Sequence, residues 1–293
     1  MRVLLTGGTG LLGQGILRSS GASGGLEFRC MVRENSPNAG RLNRKQVEVV
    51  YGSAGDEGSL ARALSGVDAL VHVAGLEYTP YVLSAARRAG VERLLLVCST
   101  SVHSAYEHRS GWRRKMEELV RESGLDWTIV RPTMIYGSEL DKNIHKLLRF
   151  LERSPVFPVF GSGRNLWQPV YYEDLAQGVQ TALENLVAVH QSYDLPGAEP
   201  LTYLNLVKTA AASLGREVRI VHVPLEPVRR GLRLAELVRI PLPVKSEQVM
   251  RLREDKAYPY EKARGDLGYS PRAFERGVAL EVARLREVGM LRS

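Results

Sequence analysis

An α/β fold with a doubly wound parallel sheet and a smaller C-terminal domain is what the sequence predicts, on three observations. Apolar runs of strand length alternate with segments of helical period through the first half of the chain. The first run, Val3–Leu5, breaks into the glycine-rich turn Thr6-Gly-Gly-Thr-Gly-Leu-Leu-Gly13 and then into an apolar helix-like segment. After Arg131 the alternation gives way to short pieces punctuated by Pro132, Pro155, Pro158, Pro169, Pro196 and Pro200.

In order, strands are expected over Arg2–Thr6, Glu27–Val32, Val47–Tyr51, Ala69–Val73, Arg93–Cys98 and Thr128–Arg131. Helices are expected between them at Leu11–Ser20, Gly58–Leu64, Pro80–Ala89 and Trp112–Glu122. Strand–helix alternation of this kind implies right-handed crossovers and a parallel sheet covered on both faces. Further on, Glu173–Leu186, Tyr203–Leu214 and Arg272–Val288 read as helices, and Pro224, Pro227, Pro241 and Pro243 bracket a basic amphipathic stretch, Val228–Arg239. Residues 1–165 are assigned to the first domain and 166–293 mainly to the second, with segments interleaved between the two.

The chain has 293 residues, 44% of them hydrophobic, which is ample for a sizeable core. No stretch reaches the roughly 18 to 20 uncharged apolar residues that span a bilayer. The sequence opens directly on a strand-like run, without a signal-peptide pattern, so a cytoplasmic location is expected. A net charge of +8 invites a nucleic-acid partner. The arginines, however, are scattered along helical segments beside glutamates, as in Arg121-Glu122, and no basic run interleaves with aromatics. Cys30 and Cys98 lie in apolar runs and read as buried thiols, and no Cys/His spacing suggests a metal.

The glycine turn holds the main chemical information. Gly7, Gly10 and Gly13 serve a tight turn, close backbone approach and helix–strand packing, while Leu11 and Leu12 begin a helix whose amides meet a pyrophosphate. Dinucleotide binding follows. An acidic residue about 20 positions after such a turn would accept from the ribose of NAD. This chain has Arg33 there, suited to a 2′-phosphate, so NADP is favoured over NAD.

Several further segments extend the pattern: Val71-His-Val-Ala-Gly75, Val97-Cys-Ser-Thr-Ser101, Arg131-Pro-Thr-Met-Ile-Tyr-Gly137, Gln168-Pro-Val-Tyr-Tyr-Glu-Asp-Leu-Ala176 and Asp266-Leu-Gly-Tyr-Ser-Pro271. With the glycine turn, this series resembles the extended and atypical short-chain dehydrogenase/reductases, in the order of the NAD-dependent epimerase/dehydratase branch. The resemblance implies a Rossmann domain, a C-terminal substrate domain, a small-molecule substrate such as a nucleotide sugar, and dimers through the helices beside strand five. Carried over by position, it implies that Ala74 and Gly75 pass beside the adenosine ribose and pyrophosphate. Pro132, Thr133 and Met134 would lie against the nicotinamide, and Asn143, Arg164 and Gln168 would face the substrate. The family's adenine-contacting aspartate is replaced by Ser53, and Asp56 reads as a helix N-cap.

The resemblance fails at the catalytic segment. The family uses a Ser or Thr after strand five, then Tyr-x-x-x-Lys on the next helix, where the lysine lowers the phenol's proton affinity. Ser99, Thr100 and Ser101 supply the hydroxyl, with Thr100 preferred, but Arg109 and Arg113 stand at the tyrosine and lysine positions. Arginine does not release its proton in proteins. Tyr106 and Lys115 are candidate substitutes, nine residues apart rather than four; His103 and His108 are candidate acids or solvated loop residues. The one Tyr-x-x-x-Lys, Tyr258–Lys262, contains a proline and reads as coincidence. Two functions stay open: an NADP-dependent epimerase, dehydratase or carbonyl reductase, and a catalytically inactive NADP-binding regulator or assembly factor.

Overall fold

The computed structural model describes residues 1–23, 25–44, 46–227 and 254–292; the basic stretch Val228–Arg239 and its flanking Pro241 and Pro243 lie outside the described residues. The chain divides into two compact units, each assembled from three segments. The first comprises Met1–Ile135, Val170–Pro196 and Tyr258–Pro271, and the second Tyr136–Pro169, Gly197–Ala257 and Arg272–Ser293.

The first unit is built on β1 (Arg2–Thr6), β2 (Glu27–Val32), β3 (Glu48–Tyr51), β4 (Ala69–His72), β5 (Arg93–Val97), β6 (Asp126–Pro132) and β11 (Gln191–Leu195). They form one parallel sheet in the order β11-β6-β5-β4-β1-β2-β3. After β3 the chain returns to the far side of β1 to place β4, so the strand order reverses between β1 and β4. The crevice beyond their carboxyl ends is where such sheets bind ligands.

Side chains alternate across the sheet because successive Cβ atoms point to opposite faces. Val3 and Leu5 pack with Leu12, Ile16, Leu175 and Val179 under α1 (Leu11–Ser23) and α6 (Tyr172–Glu184). Leu4 turns the other way, into a layer with Leu60, Val82 and Val120 from α2 (Glu57–Leu64), α3 (Thr79–Ala89) and α4 (Glu107–Arg121). The short α8 (Glu261–Leu267) adds Ala263 and Leu267 to the first layer. Both cysteines are free, and burial pushes each thiol up to about 12.

Most helix limits shift by one to three residues from expectation, and two shifts have evident local reasons. α4 begins at Glu107, five residues before Trp112, even though Ser110 and Gly111 are weak helix formers. The Ser110 hydroxyl donates back to the Tyr106 carbonyl at 3.3 Å and is fully buried, so packing overrides propensity. α6 stops at Glu184 because the Asn185 side chain accepts from Val187 N and caps a separate 3-10 turn, Leu186–Ala188.

The second unit holds the short strands β7 (Ile135–Tyr136, from its second residue), β8 (Val156–Phe160), β9 (Leu166–Trp167), β12 (Leu201–Thr202) and β13 (Arg219–Val223); β10 (Val170–Tyr171) belongs to the first. β8 pairs in parallel with β13, and β9 pairs antiparallel with β12. Three helices, α5 (Ile144–Arg153), α7 (Tyr203–Ser213) and α9 (Phe274–Glu287), pack on one another. Between α9 and the start of α5 lies a buried acidic pair. Glu281 is fully enclosed, and burial together with the adjacent Asp141 carboxylate pushes its carboxyl up to about 11. Asp141 accepts from the Asn143 and His145 amides and from His145 Nδ1, so it carries the α5 N-terminus. Neither Glu281 oxygen makes a well-formed hydrogen bond. No helix among the described residues is long and apolar enough to cross a membrane.

Candidate functional site

The glycine turn closes directly on the end of β1. Gly7 takes the left-handed conformation at φ 78°, and Gly10 N donates to its carbonyl at 3.0 Å. A side chain at Gly7 would press its Cβ to 2.9 Å from Ala74 N, and one at Gly13 would sit 2.3 Å from the Gly7 carbonyl oxygen. These two glycines are therefore demanded by backbone packed on backbone. Gly10 differs: the nearest atom to its added Cβ is 3.4 Å away, so the fold itself leaves room there. Gln14 N donates to Gly10 O at 2.9 Å as α1 begins. The amides of Leu11, Leu12 and Gly13 precede that bond, and no acidic residue in the first turn competes with an anion for the positive end of the helix dipole. Leu12 is buried in the core, so Leu11 and Leu12 contribute backbone rather than side chains.

Across the crevice, the Thr6 hydroxyl accepts from Val73 N at 3.2 Å and Ala74 N at 3.3 Å. It lies 2.7 Å from His72 Nδ1. With its lone pairs taken by two amides, the hydroxyl donates its own proton to Nδ1, which puts the imidazole hydrogen on Nε2. Burial pushes His72 down to about 4, so the ring is neutral at physiological pH. This fixed polar link ties the ends of β1 and β4, and positions Ala74 and Gly75 beside the glycine turn.

At the end of β2, Arg33 is exposed and makes no ion pair among the described residues. Ser53, after β3, accepts from Gly55 N at 3.3 Å. Asp56 caps α2 by accepting from Ser59 N at 2.8 Å, as its N-cap reading anticipated. The open face of Gly10, the first-turn amides of α1 and the unpaired Arg33 guanidinium fit a dinucleotide's phosphates. Comparison with known proteins agrees. A family model described as NAD(P)H-binding matches residues 7–148, and one for the NAD dependent epimerase/dehydratase family matches residues 112–195.

Over residues 7–195 the chain is NAD(P)-binding and epimerase/dehydratase-like.

An NAD(P)H azoreductase of Xenophilus azovorans is 26% identical over 238 residues, spanning 78% of this chain and 80% of that protein. Among solved structures, gox2253 superimposes with a TM-score of 0.84 at 23% identity, over 99% of both chains. A UDP-glucose 4-epimerase from Thermotoga maritima, solved with UDP-glucose, gives a TM-score of 0.76 at 18% identity, over 98% of this chain and 99% of its own. The structural likeness concerns the Rossmann fold.

At the position where the resemblance expects a hydroxyl, the structure separates two neighbours. Ser99 caps the 3-10 turn Thr100–His103, accepting from Ser101 N at 3.2 Å, and is partly exposed. Thr100 is buried and donates to the Pro132 carbonyl at 3.3 Å, because the turn rotates it inward between β5 and β6. The sequence preference for Thr100 over Ser99 thus meets a hydroxyl already spent on the backbone. Pro132 ends β6 buried, whereas Thr133 and Met134 after it are partly exposed.

The suggested Tyr106–Lys115 substitute does not form a pair. Tyr106 is the N-cap of α4, and nine residues of helix separate the two by about 13 Å along the axis and half a turn around it. Arg109 and Arg113 do occupy successive turns. Arg113 Nη1 donates to the Arg109 carbonyl and its guanidinium lies 4.5 Å from the Trp112 ring centroid. Burial and the neighbouring Arg109 lower the Arg113 pKa from its ordinary value. Deeper in α4, Glu117 is buried and accepts from Arg131 Nε and Nη2, both at 2.7 Å, and from Arg121 at 2.7 Å. Burial alone would raise this carboxyl, but the Arg131 fork and Arg121 outweigh it and hold it below its ordinary value.

In the second unit, Asn143 is an exposed residue ahead of α5, its amide held by Asp141 at 2.7 Å. Arg164 is exposed just after the Gly161–Gly163 turn and lines a cavity of about 280 Å³ with Phe160, Ser162, Asn165, Leu225 and Asp255. Gln168 is buried, with Nε2 donating to Gly197 O at 2.8 Å. That bond makes it a strut between two backbone segments. Among the described residues, no group of three or more His, Cys, Asp or Glu side chains is arranged to hold a metal.

Proposed function

We propose that this protein is an NADP(H)-dependent oxidoreductase or epimerase that moves hydride between the nicotinamide and a carbonyl or sugar carbon. The observation that carries the reading is the unpaired Arg33 guanidinium beyond β2, on the same sheet edge as the glycine turn. A 2′-phosphate there gains charge-assisted, bidentate hydrogen bonds that NAD does not offer. The amides of Leu11, Leu12 and Gly13 hold the pyrophosphate, Ala74 and Gly75 run beside the ribose, and Thr133 and Met134 lie against the nicotinamide. Ser99, rather than Thr100, orients the substrate oxygen, because its hydroxyl is the one at the surface. Asn143 and Arg164 suit the polar and anionic groups of a nucleotide sugar or another phosphorylated ligand, in keeping with the UDP-glucose of the Thermotoga enzyme.

A second reading, a cofactor-binding regulator without turnover, is favoured by one observation, the pair Arg109 and Arg113 where the family carries Tyr and Lys. One experiment addresses both. Arg33→Asp is expected to weaken NADPH binding about 100-fold, the worth of a charged bidentate contact, and to change NADH affinity little. Equal losses for both cofactors would remove Arg33 from the site. Screening the wild type with NADPH against nucleotide sugars and simple carbonyls then separates enzyme from regulator; tight binding with no turnover on any of them selects the regulator.

A further inference from the structure

The carboxyl edge of the first unit's sheet carries a polar pair that the Tyr-x-x-x-Lys pattern does not describe. His103 ends the 3-10 turn after β5, and Asp194 lies near the end of β11, two strands away across β6. His103 Nε2 is 3.0 Å from each Asp194 carboxylate oxygen. Arg131 stands opposite Asp194 in the β6–β11 register and reaches Oδ1 at 3.4 Å, while Glu117 of α4 grips its other edge. The Tyr258 ring lies against the imidazole, with centroids 5.4 Å apart. Asp194, Arg131, Tyr258 and, one step behind, Glu117 surround His103 on this side, and Arg114 of α4 reaches the neighbouring Val102 carbonyl at 3.5 Å.

The geometry fixes the ring. Asp194 accepts the hydrogen on Nε2, which leaves Nδ1 as the nitrogen that gains and loses a proton. No described residue hydrogen-bonds to Nδ1, and the His103 side chain is 38% exposed against 18% for Asp194. The orienting carboxylate is thus the more covered partner and the imidazole the more accessible one, the order a proton-transferring couple requires. The pair also lies where the chemistry would be, one turn beyond Ser99 and beside the strand that continues into Pro132 and Thr133.

We infer that His103, oriented by Asp194, is the general acid–base of this protein and does the work its family assigns to tyrosine. The inference rests on the NADP(H)-dependent reading above. In reduction, bound NADPH supplies a hydride to the carbonyl carbon and is oxidised. The Nδ1–H bond of the His103 imidazolium breaks as its proton forms an O–H bond with the carbonyl oxygen, giving the alcohol and neutral His103. Solvent returns the proton, with Asp194 stabilising the imidazolium.

The test uses the full chain, NADPH and 4-nitrobenzaldehyde as the probe carbonyl. His103→Gln is expected to lower kcat about 100-fold or more, the usual worth of a general acid, while NADPH affinity and melting temperature stay at wild-type values. Asp194→Asn is expected to lower kcat about tenfold while KM and NADPH affinity stay near wild type, because the ring loses the carboxylate that orients it. Independently of turnover, the ring nitrogens of His103 in ¹⁵N spectra are expected to move when NADP⁺ is added, and to show a different tautomer balance in Asp194→Asn. Wild type that fails to bind NADPH overturns the cofactor reading, and this inference with it. Binding retained, with equal rates in wild type and His103→Gln, zero included, overturns the acid–base role alone. So do ring signals indifferent to NADP⁺.

Discussion

Gly13→Ala is expected to collapse the cofactor turn, whereas Gly10→Ala, three residues earlier, is expected to leave the fold intact and disable binding. The difference lies in what each added methyl meets. At Gly13 it would sit 2.3 Å from the Gly7 carbonyl oxygen and 2.6 Å from Gly8 Cα, both backbone atoms that move only if β1 and α1 separate. Forced overpacking of this kind costs about 3 kcal/mol or more, a large share of a domain's stability. At Gly10 the nearest atom is 3.4 Å away, so stability is expected within about 0.5 kcal/mol of wild type. The methyl would still occupy the space above the first-turn amides, and NADPH affinity is expected to fall by about tenfold or more. Urea unfolding with fluorescence-monitored NADPH titration checks both variants. Gly10→Ala that binds NADPH as wild type does would move the pyrophosphate elsewhere.

The second large effect comes from the enclosed Glu281. Its folded pKa, near 11, lies above that of an unfolded glutamate, so the native state holds a proton that the unfolded chain releases. Stability from this group is complete below about pH 4.5 and is lost progressively as pH rises toward 11. At pH 7 the loss is about 3 kcal/mol, from roughly 2.5 pH units at 1.36 kcal/mol each. Glu281→Gln keeps the shape and the neutral state without the titration. It is expected to be more stable than wild type at pH 7 to 9 and nearly equal at pH 4.5. Urea midpoints across that range test this, and parallel curves for the two proteins would show that Glu281 ionises freely in the native state.

The sheet was legible because its information is local. β1 and β2 have the limits their apolar runs predict, and the glycine turn marks the ligand edge by spacing alone. The rest depended on partners far apart in sequence. Thr6 meets His72, Arg131 meets Glu117, and His103 meets Asp194, with sequence separations of 66, 14 and 91 residues. No periodicity records such pairings. The difference between Ser99 and Thr100 was hidden for another reason. Both are small hydroxyl residues at the end of β5, and only the 3-10 turn decides which one faces inward. At Gln168, likewise, a motif position says nothing about the bond its amide makes to Gly197.

The position of β11 has a consequence for synthesis of the chain. When the ribosome has released residues through Pro132, six strands of the sheet can pair, and β6 is left with one unpaired flank. That flank is closed only by Gln191–Leu195, after the whole Tyr136–Pro169 stretch of the other unit has been made. Nascent chains therefore pass through an interval with a bare, apolar strand edge of the kind that recruits other chains. Truncations ending between Pro132 and Gln191 would freeze the protein in that interval, and such fragments are expected to aggregate rather than fold.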